Sequence, residues 1–218
     1  MINQTCCFTG HRRIPLDQLE SVTQRLRDAV IASIKDGYLY FGAGGALGFD
    51  TLAAQTVLDL KKDYPQIKLI LVLPCRTQTR GWKQEDIEEY NRIMKGADNV
   101  VYTSQDYYNG CMHKRNRHLV DNSSRCICFL TEKTGGTFYT VNYASEHGLT
   151  IFNIAKERSQ YVPITPSHMH NYTLNEKRCD HFAAPFLCIM RISAKSIEKR
   201  DGVWYNVLYV FVTTSWWP

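Results

Sequence analysis

The sequence predicts an α/β fold: a Rossmann-like, mostly parallel sheet with helices on both faces over residues 1–155, followed by a β-hairpin-like extension to residue 218. Three observations predict it. Short apolar runs alternate with stretches of helical periodicity from the amino terminus onward. The strands are separated by helix-length segments, as βαβ units require. The glycine-bearing stretches follow strands, which gathers them at the carboxyl edge of a parallel sheet.

Each element has its own signal. Residues 4–9 form an apolar first strand ending at Gly10. Residues 16–35 are helical, with Leu19, Val22, Leu26, Val30 and Ile34 on one stripe, Pro15 before the start and Gly37 after the end. Residues 38–41 are a second strand, followed by a loop, 42–48, with four glycines in seven residues, and a helix over 49–62. Strand 68–73 is stopped by Pro74. Helix 84–95, strand 99–103, helix 114–122, strand 125–130, helix 138–147 and strand 150–154 complete the domain. Residues 160–175 are polar, contain Pro163 and Pro166, and read as a linker. Residues 186–193 and 203–213 are strand-like and flank Asp201-Gly202, a hairpin signal. This hairpin is expected to pack on the main domain and to cover Trp204, Tyr205, Tyr209, Phe211, Trp216 and Trp217.

Composition narrows the function classes. Hydrophobic residues make up 44% and charged residues 22%, a globular balance. A net charge of +5 is too mild to argue for DNA on its own. The first residues lead straight into a strand-like run, so no secretory signal is expected, and no apolar run reaches membrane length. Cys6, Cys7, Cys126 and Cys128 fall in strands, so free thiols in a reducing, cytoplasmic compartment are expected. His113 with His118, and Cys179-Asp180-His181, complete no zinc tetrad, so no metal is expected. No Ser-His-Asp or Cys-His unit can be assembled, and Cys111 is a nucleophile only if its pKa is lowered.

The candidate site residues lie in the loops at the carboxyl edge. Glycines let backbone amides approach an anion, and the following helix adds free N–H groups and a positive dipole end. On this basis Gly42, Gly44 and Gly45 cradle a phosphate, and Gly135 and Gly136 form a second cradle with Thr137 as helix cap or phosphate ligand. The alternative for the first loop is that a tight turn needs glycine anyway. Its spacing, G-x-G-x-x-x-G, is not the dinucleotide fingerprint, and no Lys-Ser/Thr pair makes it a P-loop, so NAD-dependent hydride transfer is disfavoured. Asp50 caps the following helix, binds a ribose hydroxyl, or both. Thr9, Gly10, His11 and Arg12 place a hydroxyl, a flexible backbone and cationic or polar groups after strand one, with Arg12 able to grip a phosphate bidentately. Arg115 and Asn116 sit in a first helical turn, where an arginine opposes the dipole and so implies a bound anion or acid; a solvated arginine is the alternative.

In this order, Cys7-Phe8-Thr9-Gly10-His11-Arg12, Gly44-Gly45-Ala46-Leu47-Gly48-Phe49-Asp50, Leu73-Pro74-Cys75, Trp82, Arg115-Asn116 and Gly135-Gly136-Thr137 resemble the YpsA-like (DUF1273) family of the SLOG superfamily, named for Smf/DprA and LOG proteins. The resemblance covers residues 4–155. It implies a Rossmann-like SLOG fold that binds a nucleotide or nucleotide derivative, ADP-ribose- or NAD-like, as a bacterial sensor or regulator. Other members of the superfamily are nucleoside-monophosphate phosphoribohydrolases or bind single-stranded DNA. The hydrolases carry a catalytic glutamate after their glycine motif. Asn142 stands there in this sequence and cannot act as a general base. For an N-glycosidic hydrolase, Asp50 or Glu146 is left as the acid. Binding therefore ranks above hydrolysis, and single-stranded nucleic acid third. The expected partner is a small-molecule nucleotide, with a homo-oligomer left open and no membrane partner.

Overall fold

The computed structural model describes residues 1–155, together with the backbone of residues 191–200 and 203–211. The linker stretch 160–175, the Cys179-Asp180-His181 cluster and Trp216-Trp217 lie outside the described residues. The chain divides into two units, Met1–Val162 and Pro163–Pro218.

The first unit runs β1 (Thr5–Gly10), α1 (Leu19–Lys35), β2 (Tyr40–Ala43), α2 (Phe49–Leu60), β3 (Lys68–Leu73), α3 (Gln84–Gly96), β4 (Asn99–Tyr102), α4 (Cys111–Asp121), β5 (Arg125–Phe129), α5 (Gly135–Glu146) and β6 (Thr150–Asn153). All six strands are parallel, in the order β4-β3-β2-β1-β5-β6. A parallel sheet is covered on both faces, which is why its strands read as nearly continuous apolar runs. Alternate residues then serve opposite cores. Phe8, Phe41, Leu71, Ile127 and Phe129 face α1, α2 and α3 and pack with Leu26, Val30, Val57 and Ile93. Cys7, Val72, Cys126 and Cys128 face α4 and α5 and pack with Leu119, Val120 and Ala144.

Three helix starts differ from those the sequence predicts, and β2 covers Tyr40–Ala43 rather than residues 38–41. Leu16–Gln18 forms a separate 3₁₀ turn ahead of α1, so the buried stripe of that helix begins at Val22 rather than Leu19. The helices α4 and α5 start three residues early, at Cys111 and Gly135. Gly110 caps the first at φ +99°, and Gly135 itself stands at φ +84°. These backbone angles suit glycine, which apolar periodicity does not register.

One contact ties the amino-terminal edge of the sheet together. Asp98, just before β4, accepts hydrogen bonds from Lys61 Nζ at 2.7 Å and from the Leu69 N–H at 2.8 Å, and Lys68 Nζ lies 3.3 Å away. Burial alone would raise this carboxyl, but the Lys61, Leu69 and Lys68 contacts outweigh it and hold the pKa below its ordinary value. A depressed folded pKa contributes stability that is present above the unfolded value and is lost as pH falls through the folded one. Asp98→Ala is expected to cost about 1–2 kcal/mol at neutral pH in urea melts, with the deficit shrinking in acid.

The second unit holds an antiparallel pair, β7 (Arg191–Arg200) and β8 (Val203–Phe211), with Arg200 opposite Val203. The predicted hairpin is present, but its first strand runs later than residues 186–193. The pairing runs from Arg200↔Val203 to Arg191↔Phe211, with a register shift between Ala194 and Ile197.

Candidate functional site

The strand order reverses direction between β1 and β5. From β1 the chain steps outward through β2, β3 and β4, then returns to place β5 on the other side of β1. In an open α/β sheet, the crevice above such a reversal is where ligands bind. The connections following β1 and β5 flank it, and the loop between β2 and α2 stands beside it.

His11 bridges the crevice. Its Nε2 accepts a hydrogen bond from the Thr131 N–H at 3.0 Å, its carbonyl accepts one from the Phe49 N–H at 3.1 Å, and its ring meets Phe129 edge-on. Gly10, the last residue of β1, is required by packing, because a Cβ there would enter the Phe49 ring. Phe49 in turn stacks on Phe129 with centroids 6.0 Å apart. Gly48, at φ +78°, is approached just as closely by the Arg12 backbone. The β1–α1 connection is thus pinned against the start of α2, while the Arg12 side chain is exposed.

Beneath the glycine loop lies a buried ion pair. Arg115 Nη1 stands 3.0 Å from Asp50 Oδ2, and the two side chains are only 7% and 8% exposed. The same Asp50 oxygen accepts the Ala46 N–H at 3.4 Å. A Cβ on Gly44 would overlap the Arg115 guanidinium. From the other side, buried Gln78 donates through Nε2 to the carbonyls of Gly45 at 2.6 Å and Gly44 at 3.4 Å. Gly44 and Gly45 are therefore gripped between a cation and an amide that come from distant parts of the chain. Burial drives the Asp50 pKa up, and Arg115, the Ala46 N–H and Arg12 counter only part of that rise.

A second set of bonds fixes the start of α5. Asn116 Nδ2 donates to Thr140 Oγ1 at 2.8 Å, and the Thr140 hydroxyl donates to the Gly136 carbonyl at 2.8 Å. Thr134 takes the cap position of α5, and no side chain caps the first amides. Gly135 and Gly136 are exposed, and a Cβ on either would meet nothing within 4 Å.

A family model described as the YspA SLOG family matches residues 6–158. The chain belongs to the YspA SLOG family. Among its relatives is a UPF0398 protein from Bacillus thuringiensis, 29% identical over 133 residues, which are 60% of this chain and 72% of that protein. A UPF0398 protein from Brevibacillus brevis is 28% identical over 121 residues, 55% of this chain and 64% of that one. The fold is shared with two solved structures. One is the DNA processing protein A from Helicobacter pylori, described as binding single-stranded DNA: TM-score 0.52 at 18% identity, covering 70% of this chain and 65% of that one. The other is DNA processing protein A (DprA) from Streptococcus pneumoniae: TM-score 0.53 at 19% identity, covering 69% and 50% respectively.

Within this SLOG domain the residues singled out from sequence separate into groups. Gly10, His11, Arg12, Gly44, Gly45, Gly135, Gly136 and Thr137 lie at the carboxyl edge, beside the crevice. Thr9 is buried within β1, opposite Cys128. Gly42 lies in β2 rather than in a loop, and a Cβ there would stand 2.9 Å from Leu119, so its small size serves the packing of α4 on the sheet. Asp50 is the second residue of α2 behind Gly48 in the cap position, so the N-cap reading gives way to an ion-pair role. Arg115 is neither solvated nor in a first turn. The early start of α4 puts it in the second turn, facing Asp50. Thr137 is the third residue of α5, not its cap. Glu146 ends α5, about 16 Å along the axis from Gly135, away from the crevice. Gln78 escaped the sequence reading: a glutamine in a loop carries no periodic signal, and its partners lie 33 and 34 residues away. Among the described residues no cluster of three or more His, Cys, Asp or Glu side chains could hold a metal, and no helix is long and apolar enough to cross a membrane.

Proposed function

We propose that this chain binds a nucleotide or nucleotide derivative of the ADP-ribose or NAD type in the crevice above β1 and β5, and acts as a sensor or regulator. One observation carries the reading. Gly136 needs neither a special backbone angle nor a small side chain for packing, yet it is glycine at the open start of α5. Backbone left bare at a helix start suits an approaching phosphate, which would meet uncapped amides and the positive end of the dipole. Gly44 and Gly45 add a second backbone stretch, hydrogen-bonded by Gln78 and packed against Arg115. Asp50 is committed to Arg115 and Glu146 is remote, so the residues favour binding over N-glycosidic hydrolysis. The six described cysteines are free and buried, in keeping with a cytoplasmic setting.

Thermal-shift titration with NAD, ADP-ribose, AMP and cyclic nucleotides tests the proposal. Saturation to about 100 times Kd should stabilise the folded chain by about 2.7 kcal/mol. No shift from any of them at millimolar concentration would overturn it. A second reading, single-stranded DNA, has support from the exposed Arg12 and Arg13 after β1 and from the neighbour described as binding such DNA. It predicts retention in a gel shift at low salt that fades steeply as salt rises.

A further inference from the structure

We infer that the cavity beside the β1–α1 connection, together with the leucine overhanging it, is a self-complementary interface that joins two copies of this chain. The inference does not rest on the nucleotide reading, and it competes with the single-stranded DNA reading for Arg12 and Arg13.

The cavity measures about 820 Å³ and lies between the β1–α1 connection, α2 and α3, on the α1–α2–α3 side of the sheet. Ile14, Pro15, Leu16, Leu19, Leu47 and Leu52 supply its apolar lining. Its rims carry opposite charges: Arg12 and Arg13 on the β1–α1 connection, Asp86 and Glu89 on α3. Glu89 is held by Arg92 and Gln55. Among the described residues, Arg12, Arg13 and Asp86 have no ion-pair partner.

At the cavity edge Leu16 is 88% exposed and Leu19 40% exposed. Leu16 is not on a loose tip. It begins the 3₁₀ turn, closed by the Gln18 N–H on the Pro15 carbonyl at 3.0 Å, and the preceding connection is pinned to α2 through His11 and Gly48. An exposed apolar side chain thus forms the lip of an apolar hollow.

An apolar lip and a hollow in one patch, with a basic rim on one side and an acidic rim on the other, is what an isologous contact requires. A two-fold axis through the patch lays Leu16 of each copy into the hollow of the other. It also sets Arg12 and Arg13 of each copy against the unpaired Asp86 of its mate. A phosphate-rich ligand fits less well, because the acidic rim would repel it.

The test is the association state of the full chain by sedimentation equilibrium across a concentration series. A dimer is expected, and Leu16→Glu should make it a monomer. Arg13→Glu alone and Asp86→Lys alone should each weaken self-association about tenfold or more, because each sets like charges opposite one another twice. An equimolar mixture of these two variants should regain wild-type association, since both cross-pairs become complementary. That rescue also demonstrates that both variants are folded. A monomeric wild type up to high micromolar concentration overturns the proposal. So does a dimer indifferent to the three substitutions, or a mixture that stays as weak as its components.

Discussion

Arg115→Met is expected to destabilise the fold by about 3–5 kcal/mol, because it strands the Asp50 carboxylate in the interior with the Ala46 amide as its remaining hydrogen-bond donor. The loss should depend on pH in a defined direction. Burial already raises the Asp50 pKa in the intact protein, and removing the opposing guanidinium raises it further. A group whose folded pKa exceeds its unfolded value contributes stability that is complete below the unfolded pKa and lost as pH rises through the folded one. Urea melts of the variant should therefore be nearer to wild type at about pH 5 than at about pH 8. Equal deficits at both would mean that the carboxyl is not what suffers. Replacing both partners, Asp50→Leu with Arg115→Met, should recover much of the loss, since an apolar pair leaves no uncompensated charge.

That pair also marks where sequence reasoning stops. The six strands and five α-helices among the described residues of the first unit follow from periodicity, because a sheet covered on both faces leaves a repeated apolar signature. The glycines at the sheet edge are equally legible as places where a side chain is unwelcome. What excludes the side chain is not legible. At Gly10 it is the Phe49 ring, at Gly48 the Arg12 backbone, and at Gly42 Leu119. These are tertiary neighbours that a local pattern cannot name. By apolar spacing Arg115 stands at an unfavourable place for an arginine, which implies a nearby anion or acid. The charge proves to be an internal carboxylate, Asp50, 65 residues earlier, because Gly110 starts the helix sooner than apolar spacing suggests. Gln78 leaves no trace at all, since its contribution is two hydrogen bonds to backbone carbonyls whose positions only the folded chain defines.

Gly44→Ala should be nearly as damaging as the loss of Arg115, although it removes no interaction of its own. The added methyl would occupy the space of the guanidinium and press on Asp50 Oδ2, 2.6 Å from the new carbon. Arg115 cannot give way cheaply, because its side chain is buried and any shift parts it from Asp50. A cost of about 3 kcal/mol is expected, close to that of breaking a buried pair outright. A double-mutant cycle separates this cause from ordinary loop strain. If alanine acts by expelling the guanidinium, it should cost much less in the Arg115→Met background, leaving a coupling energy of about 1–3 kcal/mol. Additive losses would place the damage in the loop backbone instead. Gly136→Ala is the contrasting case, because its Cβ meets nothing and its backbone needs no positive φ. Its stability should change by no more than about 0.5 kcal/mol. Any fall in nucleotide affinity in that variant would then come from the methyl standing where the ligand approaches, which makes the two glycines a matched pair for separating what the fold needs from what the crevice binds.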